Sequence, residues 1–235
     1  MKAPIGRYGG KSRLKEKLIE MFPKNYITFV EPFVGAGNIF YSTPKVETEV
    51  INDLDKDMYI LHKGLQKNSK YINDNLDRKI TKRKFEIAKN KNDVLSIIYK
   101  YKTSFNRLGK NFSNDMEGDE IKTDFTPYQE RLAGVKIFNE DFKSVIKRYD
   151  SPKTFIYLDP PYEAAESGKY YKYFVSPKEL YDALQGIKSK FMISYNDSAN
   201  IRKIFGKYNI RKIKAKNKVG GYEIKEINEL VITNY

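Results

Sequence analysis

The chain has no cysteine and a single histidine, His62, among its 235 residues. Without thiols there is no disulfide, no thiolate zinc site and no sulfur nucleophile. One histidine with no cysteine also excludes a His/Cys metal centre, and no metal is expected. His62 lies in a lysine-rich helical stretch, where a surface position is expected. No apolar run reaches membrane-spanning length, and residues 1–6 lack the apolar core of a secretory signal. A cytoplasmic protein that does not associate with membranes is expected.

Acid is scarce relative to base. Thirty Asp and Glu face 44 Lys and Arg, for a formal net charge of +14. The cations cluster, with six between Lys207 and Lys218 and no acid among them, and another dense stretch from Arg78 to Lys110. Such a surface predicts a polyanionic partner held through phosphate contacts and counterion release. The alternative is a lysine-rich surface that is merely solvated.

Apolar periodicity predicts alternating strands and helices. Helix-period residues run over 11–21, and a strand over 26–33 turns through Gly35-Ala36-Gly37 into a short helix reaching Tyr41. A strand over 47–52 precedes a helix over 55–66. From 67 to 131 charge and Asn rise, with one strongly periodic segment over 85–101 and an irregular stretch over 103–126. That stretch is too long for a plain connection, so it reads as an inserted domain or a functional loop. Strands then follow at 135–138, 154–158 and 191–195, with helices over 141–148, 177–187 and 198–205. Strands at 209–214 and 230–233 close as a hairpin. The expected fold is α/β, a doubly wound, mostly parallel sheet with an antiparallel C-terminal strand.

Chemistry concentrates where strands end. Asp159-Pro160-Pro161-Tyr162 follows the apolar run over 154–158. The prolines remove two backbone donors, so Asp159 and the neighbouring carbonyls form an acceptor-only cluster beside the Tyr162 ring. Such a cluster suits a planar group bearing an NH2, such as the edge of adenine. Phe33-Val34-Gly35-Ala36-Gly37 is a glycine-rich ligand loop at a helix start. It lacks the third glycine of a dinucleotide fingerprint, because Phe40 stands there, which disfavours a nicotinamide-dependent oxidoreductase. Asp53 and Asp141-Phe142 follow two other strands. Two strand-end acids and a glycine turn describe a nucleoside pocket without a pyrophosphate cradle, favouring S-adenosylmethionine over NAD.

In the order in which they occur, these motifs resemble the DNA adenine methylase (Dam) family, the D12 class of N6-adenine methyltransferases. The matching segments are 3–11, 29–37, 51–53, 139–142, 159–162 and 229–235. The resemblance implies a SAM-binding catalytic domain over 1–66 and 132–235, with a mainly helical target-recognition domain inserted over 67–131. It implies cofactor contacts from Tyr8, Lys11, Phe33, Gly35, Asp53, Asp141, Phe142 and Asp159, with Lys11 reaching the SAM carboxylate. Asp159 and the Pro160 carbonyl would accept from the target N6 amine, and Tyr162 would stack on the flipped base.

Double-stranded DNA is the expected partner and a monomer the expected state. In the insert, Asn106 and Arg107 are the candidate base readers. Lys212, Lys214, Lys216 and Lys218, with no neighbouring acid in the sequence, are the candidate phosphate contacts. An N4-cytosine DNA enzyme, an RNA adenine enzyme and a non-catalytic nucleic-acid binder are the alternatives; a C5-cytosine enzyme is excluded by the missing thiol.

Overall fold

The computed structural model describes residues 1–7, 11–161, 173–219 and 223–235; in the terminal hairpin, side chains are described up to 214 and from 228 onward. Seven strands form one sheet in the order β3-β2-β1-β4-β5-β7-β6. They are β1 (Thr28–Glu31), β2 (Thr48–Asn52), β3 (Lys136–Phe138), β4 (Thr154–Leu158), β5 (Lys190–Asn196), β6 (Asn209–Val219) and β7 (Glu223–Thr233). The first five run parallel, and β7 enters antiparallel between β5 and β6. The doubly wound sheet with an antiparallel C-terminal edge is as the sequence implied. Chain order reverses between β1 and β4, and at such a switch point the loops beyond the strand ends diverge and leave a crevice.

Alternation along the central strands explains why both faces are covered. In β4 every residue is buried, Phe155 and Tyr157 on one face, Ile156 and Leu158 on the other. The first face packs Leu18 of α1 (Lys15–Glu20), Met58, Leu61 and Leu65 of α2 (Lys56–Asn75), and Tyr128 of α5 (Thr126–Arg131). The second packs α6 (Phe142–Tyr149), α7 (Pro177–Ala183) and α8 (Ala199–Ile204), through residues such as Val145, Leu180 and Ile201. Period-2 burial on both faces is the pattern of a parallel sheet sandwiched by helices.

Between α2 and α5 lie α3 (Lys82–Lys89) and α4 (Val94–Thr103). The sequence suggested one periodic segment over 85–101; the chain breaks at 90–93, where Asp93 caps α4 by accepting from Ser96 N–H and hydroxyl. Helix α2 also runs past 66 to Asn75, because it restarts at Asn68. That residue has non-helical φ −162°, ψ 80°, and its side chain accepts from Tyr71 N–H. The freed Ser69 N–H donates to Gln129, so the kink is satisfied by a neighbouring helix rather than by water. Phe85, Ile97 and Phe125 of this region join the same core as Phe29 and Tyr157 of the sheet.

One ion pair fastens the end of this region to the sheet. Arg131 in α5 donates to both oxygens of Glu49 on β2 at 2.6 and 2.8 Å, and to the Phe40 carbonyl at 2.9 Å. Its guanidinium also lies 3.9 Å from the Phe40 ring centre. Glu49 is only 3% exposed, so removing its partner strands a buried carboxylate. Arg131→Met is therefore expected to destabilise the protein by about 3 kcal/mol in urea denaturation. A loss under about 1 kcal/mol would mean that the carboxylate finds water.

Candidate active site

The crevice at the switch point is walled by the loops after β1, β2, β3 and β4, and it encloses about 1060 Å³ of empty space, mouth included. Its lining includes Lys11, Glu31–Ala36, Asp53–Asp55, Glu140–Phe142, Asp159, Pro161 and Phe174. Asparagine side chains lock the loops together. Asn52, buried at the end of β2, donates to the Pro32 and Glu140 carbonyls and accepts from Glu140 N–H. Asn139 donates to the carbonyls of Asp53 and Leu54.

The glycine loop is held from three sides. Gly35, at φ +50°, donates its N–H to Asp53 at 2.7 Å, and its carbonyl lies 2.9 Å from His62 Nε2. His62 is fully buried, correcting the surface position expected of it. Helix α2 turns that residue inward, and Tyr41 hydroxyl meets its Nδ1 at 2.9 Å. Burial lowers its pKa to about 4, so the ring is neutral. Its partners assign the proton to Nε2, donating to Gly35, with Nδ1 accepting from Tyr41. Gly37, at φ +82°, has no room for a side chain, since a Cβ would sit 2.7 Å from the Tyr41 ring. Asp53 also accepts from Asp55 N–H, and Asp55 pairs with Arg7 at 2.8 Å. Burial raises the Asp53 pKa against the pull of Arg7 and these N–H donors.

Beyond β4, Asp159 meets groups from three other segments. Its Oδ1 accepts from Lys11 Nζ at 2.6 Å and from Ser194 Oγ of β5 at 3.3 Å. Lys11 also pairs with Glu229 of β7 at 3.2 Å. Burial works against the Lys11 charge, but the Asp159 and Glu229 carboxylates raise its pKa overall. Burial pushes Asp159 up to about 6, with Lys11 opposing and Glu229 reinforcing the rise. Glu31, at the end of β1, has its Oε2 buried on the crevice wall with no hydrogen-bond partner among the described residues. Burial and then Asp159 hold its pKa well above the usual carboxylate range.

A family model, the D12 class N6 adenine-specific DNA methyltransferase, matches residues 8–219. The chain belongs to this family. It is therefore a DNA adenine methyltransferase that uses S-adenosylmethionine as donor. Among curated relatives it is 24% identical to the type II methyltransferase M1.LlaDCHI of Lactococcus lactis subsp. cremoris, over 97% of this chain and 93% of that one. It is 26% identical to the type II methyltransferase M.CviBI of Paramecium bursaria Chlorella virus NC1A, over 70% of each. Among solved structures, a putative RNA methyltransferase from Pyrococcus horikoshii aligns with a TM-score of 0.42 at 10% identity, over 94% of this chain and 78% of that chain.

The methyltransferase crevice fits its donor chemically. Buried Glu31 and half-buried Asp53 and Asp159 face a ligand that brings a sulfonium and an ammonium. The Glu31 Oε2 is a buried polar atom on this wall that no described residue satisfies. Of the residues expected to bind cofactor, Lys11, Phe33, Gly35, Asp53, Asp141, Phe142 and Asp159 all line this one crevice. Phe33 and Phe142 rings meet at 5.1 Å, and Asp141 also caps α6 by accepting from Lys143 N–H. Tyr8 and Tyr162 lie outside the described residues. Glu31, His62, Ser194 and Glu229 were missed, because the sequence carries no local mark of a partner far along the chain.

The expected DNA contacts are dispersed. Asn106 and Arg107 form an exposed turn at φ +50° and +58°. The Arg107 stem packs over Gly6, where a Cβ would sit 2.8 Å away. This places the turn against the N-terminal segment that leads to Lys11. Its guanidinium donates to the Lys102 carbonyl. Lys212 has no acid beside it in the sequence but pairs through the fold with Asp197 at 3.1 Å. That acid follows β5 and is distant in sequence. Lys214 is exposed, and the side chains of Lys216 and Lys218 lie outside the described residues.

Gly37→Ala tests the loop. The added methyl meets the Tyr41 ring and the backbone angle is unfavourable, so SAM affinity is expected to fall by about 1–3 kcal/mol in calorimetry. Wild-type affinity would show that the loop does not shape the donor site.

Proposed function

We propose that the chain methylates N6 of an adenine flipped out of duplex DNA, with Asp159 and the Pro160 carbonyl accepting from the target amine. The observation that carries this reading is the split of Asp159. Its Oδ1 is engaged by Lys11 and Ser194, while its Oδ2 takes no hydrogen bond from any described residue and the side chain lines the crevice.

When bound, S-adenosylmethionine supplies a methyl group activated on a sulfonium. Adenine N6 is a weak nucleophile because its lone pair is delocalised into the ring. Acceptors placed on its hydrogens pyramidalise the amine and localise that pair. Asp159 also takes up the surplus N6 proton after transfer, a role suited to a carboxyl near pKa 6. Tyr162 stacks on the extruded base and offsets part of its unstacking cost. Asp53 receives the ribose hydroxyls through lone pairs left over from its two N–H contacts. Lys11 holds the SAM carboxylate, and Asp141 and Phe142 meet the SAM adenine. No metal takes part; the lone His62 is buried with both ring nitrogens engaged.

Residues 67–131 serve as the target-recognition part, with Asn106 and Arg107 reading base edges. Lys214, Lys216 and Lys218 hold phosphates, and Lys212 joins them by exchanging Asp197 for DNA. The protein acts as a monomer in the cytoplasm, and no described helix is long and apolar enough to cross a membrane.

Asp159→Asn preserves shape but turns an NH2 toward the amine. Single-turnover methylation of duplex DNA should fall by about 10²–10³-fold or more, with DNA binding retained. Near-normal turnover would remove Asp159 from the chemistry, and transfer to RNA or to cytosine N4 would favour the alternative substrates. Arg107 is tested by methylating a randomised duplex library. Arg107→Ala should relax preference at one base pair, at about 1–3 kcal/mol on the preferred site. An unchanged preference with a uniform loss of rate would place the reading head elsewhere.

A further inference from the structure

One buried carboxylate beside the crevice has a place that the methyl-transfer reading does not explain. Glu229 lies on β7, 2% exposed, opposite Asn196 of β5. It does not line the crevice as Asp159 does, yet it sits 3.2 Å from the ammonium that Asp159 binds at 2.6 Å. Burying a second carboxylate beside an already neutralised pair is costly unless it has a task.

We propose that Glu229 is a positioning residue: it clamps the Lys11 ammonium onto Oδ1 of Asp159, so that Oδ2 alone is presented to the target amine. This rests on Asp159 being the acceptor for that amine. A lysine stem is flexible and its ammonium is a point charge that slides readily between oxygens. Anchoring it from β7 fixes it on the side of Asp159 away from the base. Ser194 completes the fixation. Its hydroxyl lies 2.8 Å from Tyr157 hydroxyl and 3.3 Å from Asp159 Oδ1, so Tyr157 donates to Ser194, which donates to Asp159.

The arrangement has an electrical consequence. Two carboxylates around one ammonium give the cluster an acidic character, which suits positive charge developing on the target amine. Among the described residues, the groups facing Asp159 are Lys11, Glu229, Ser194, Tyr157 and Glu31. Of these Lys11 and Ser194 favour its ionised form, while Glu229, beside burial, opposes it. Removing Glu229 and removing Lys11 must therefore move Asp159 in opposite directions. A carboxylate that is merely nearby would give the same opposite shifts, so it is the rate of Glu229→Asp, which keeps the charge but shortens the reach to Lys11, that separates positioning from proximity.

The test is the single-turnover methylation rate against pH at saturating SAM and DNA, for wild type, Glu229→Gln, Glu229→Asp, Lys11→Met and Asp159→Asn. The wild-type rate is expected to fall on the acid side near pH 6, the value to which burial pushes Asp159. Glu229→Gln should move that limb down and Lys11→Met up, each by about half a unit or more. Glu229→Asp, which keeps the charge, should leave the limb in place while slowing the rate. Limbs that stay fixed or shift together in the Gln and Met variants overturn the proposal. If Glu229→Gln does not fold, Lys11→Met carries the test with Glu229→Asp, and a static limb in the former overturns it. An active Asp159→Asn would instead remove the reading on which the inference rests. An inactive one with static limbs leaves that reading standing and removes only Glu229.

Discussion

A buried ion cluster sets the terms for the rest of the molecule. Lys11, Asp159 and Glu229 come from the N-terminal segment, the end of β4 and the last strand, and they meet within 3.2 Å of one ammonium. Buried charges are tolerated only when the geometry satisfies them. That geometry requires β5 beside β4 and β7 antiparallel beside β5, as observed. The antiparallel insertion of β7 is thus more than an edge decoration. It brings a carboxylate to the site from a direction that a parallel strand at that place, running the other way, would not.

Charge is segregated between surface and crevice. A chain of net charge +14 gathers acids at Glu31, Asp53 and Asp159, buried or half-buried, where β1, β2 and β4 end. The outer basic field attracts a polyanion, while the inner acidic wall suits the cationic donor. Desolvation holds Glu31 well above the usual carboxylate range and raises Asp159 to about 6. The site is thereby poised to accept hydrogen bonds and a proton without carrying the full repulsion of every carboxylate ionised at once.

The sheet was readable because its signals are local. Alternation and apolar runs placed the central strands within a residue or two, and Asp159 stands out locally as the acid at a strand end ahead of two prolines. Helix breaks were less so. The division of 85–101 at Asp93 depends on a cap that competes with an uninterrupted apolar period, and the continuation of α2 past Asn68 depends on Gln129 receiving a stranded N–H. His62 reads as a surface residue among lysines, but α2 turns it against the glycine loop. The pairings of Lys212 and Glu229 were not legible for a common reason, since their partners Asp197 and Lys11 are distant in sequence. Pairing across a sheet leaves no trace in the local composition.

The division of labour between the two Asp159 oxygens is the centre of this account, and a crystal structure of the enzyme with duplex DNA and a non-transferring SAM analogue tests it most directly. The expected result has the target N6 within hydrogen-bond distance of Oδ2, with Lys11 still bridging Oδ1 and Glu229. A target amine seated on Oδ1 with Lys11 displaced, or one that does not contact Asp159, would contradict it.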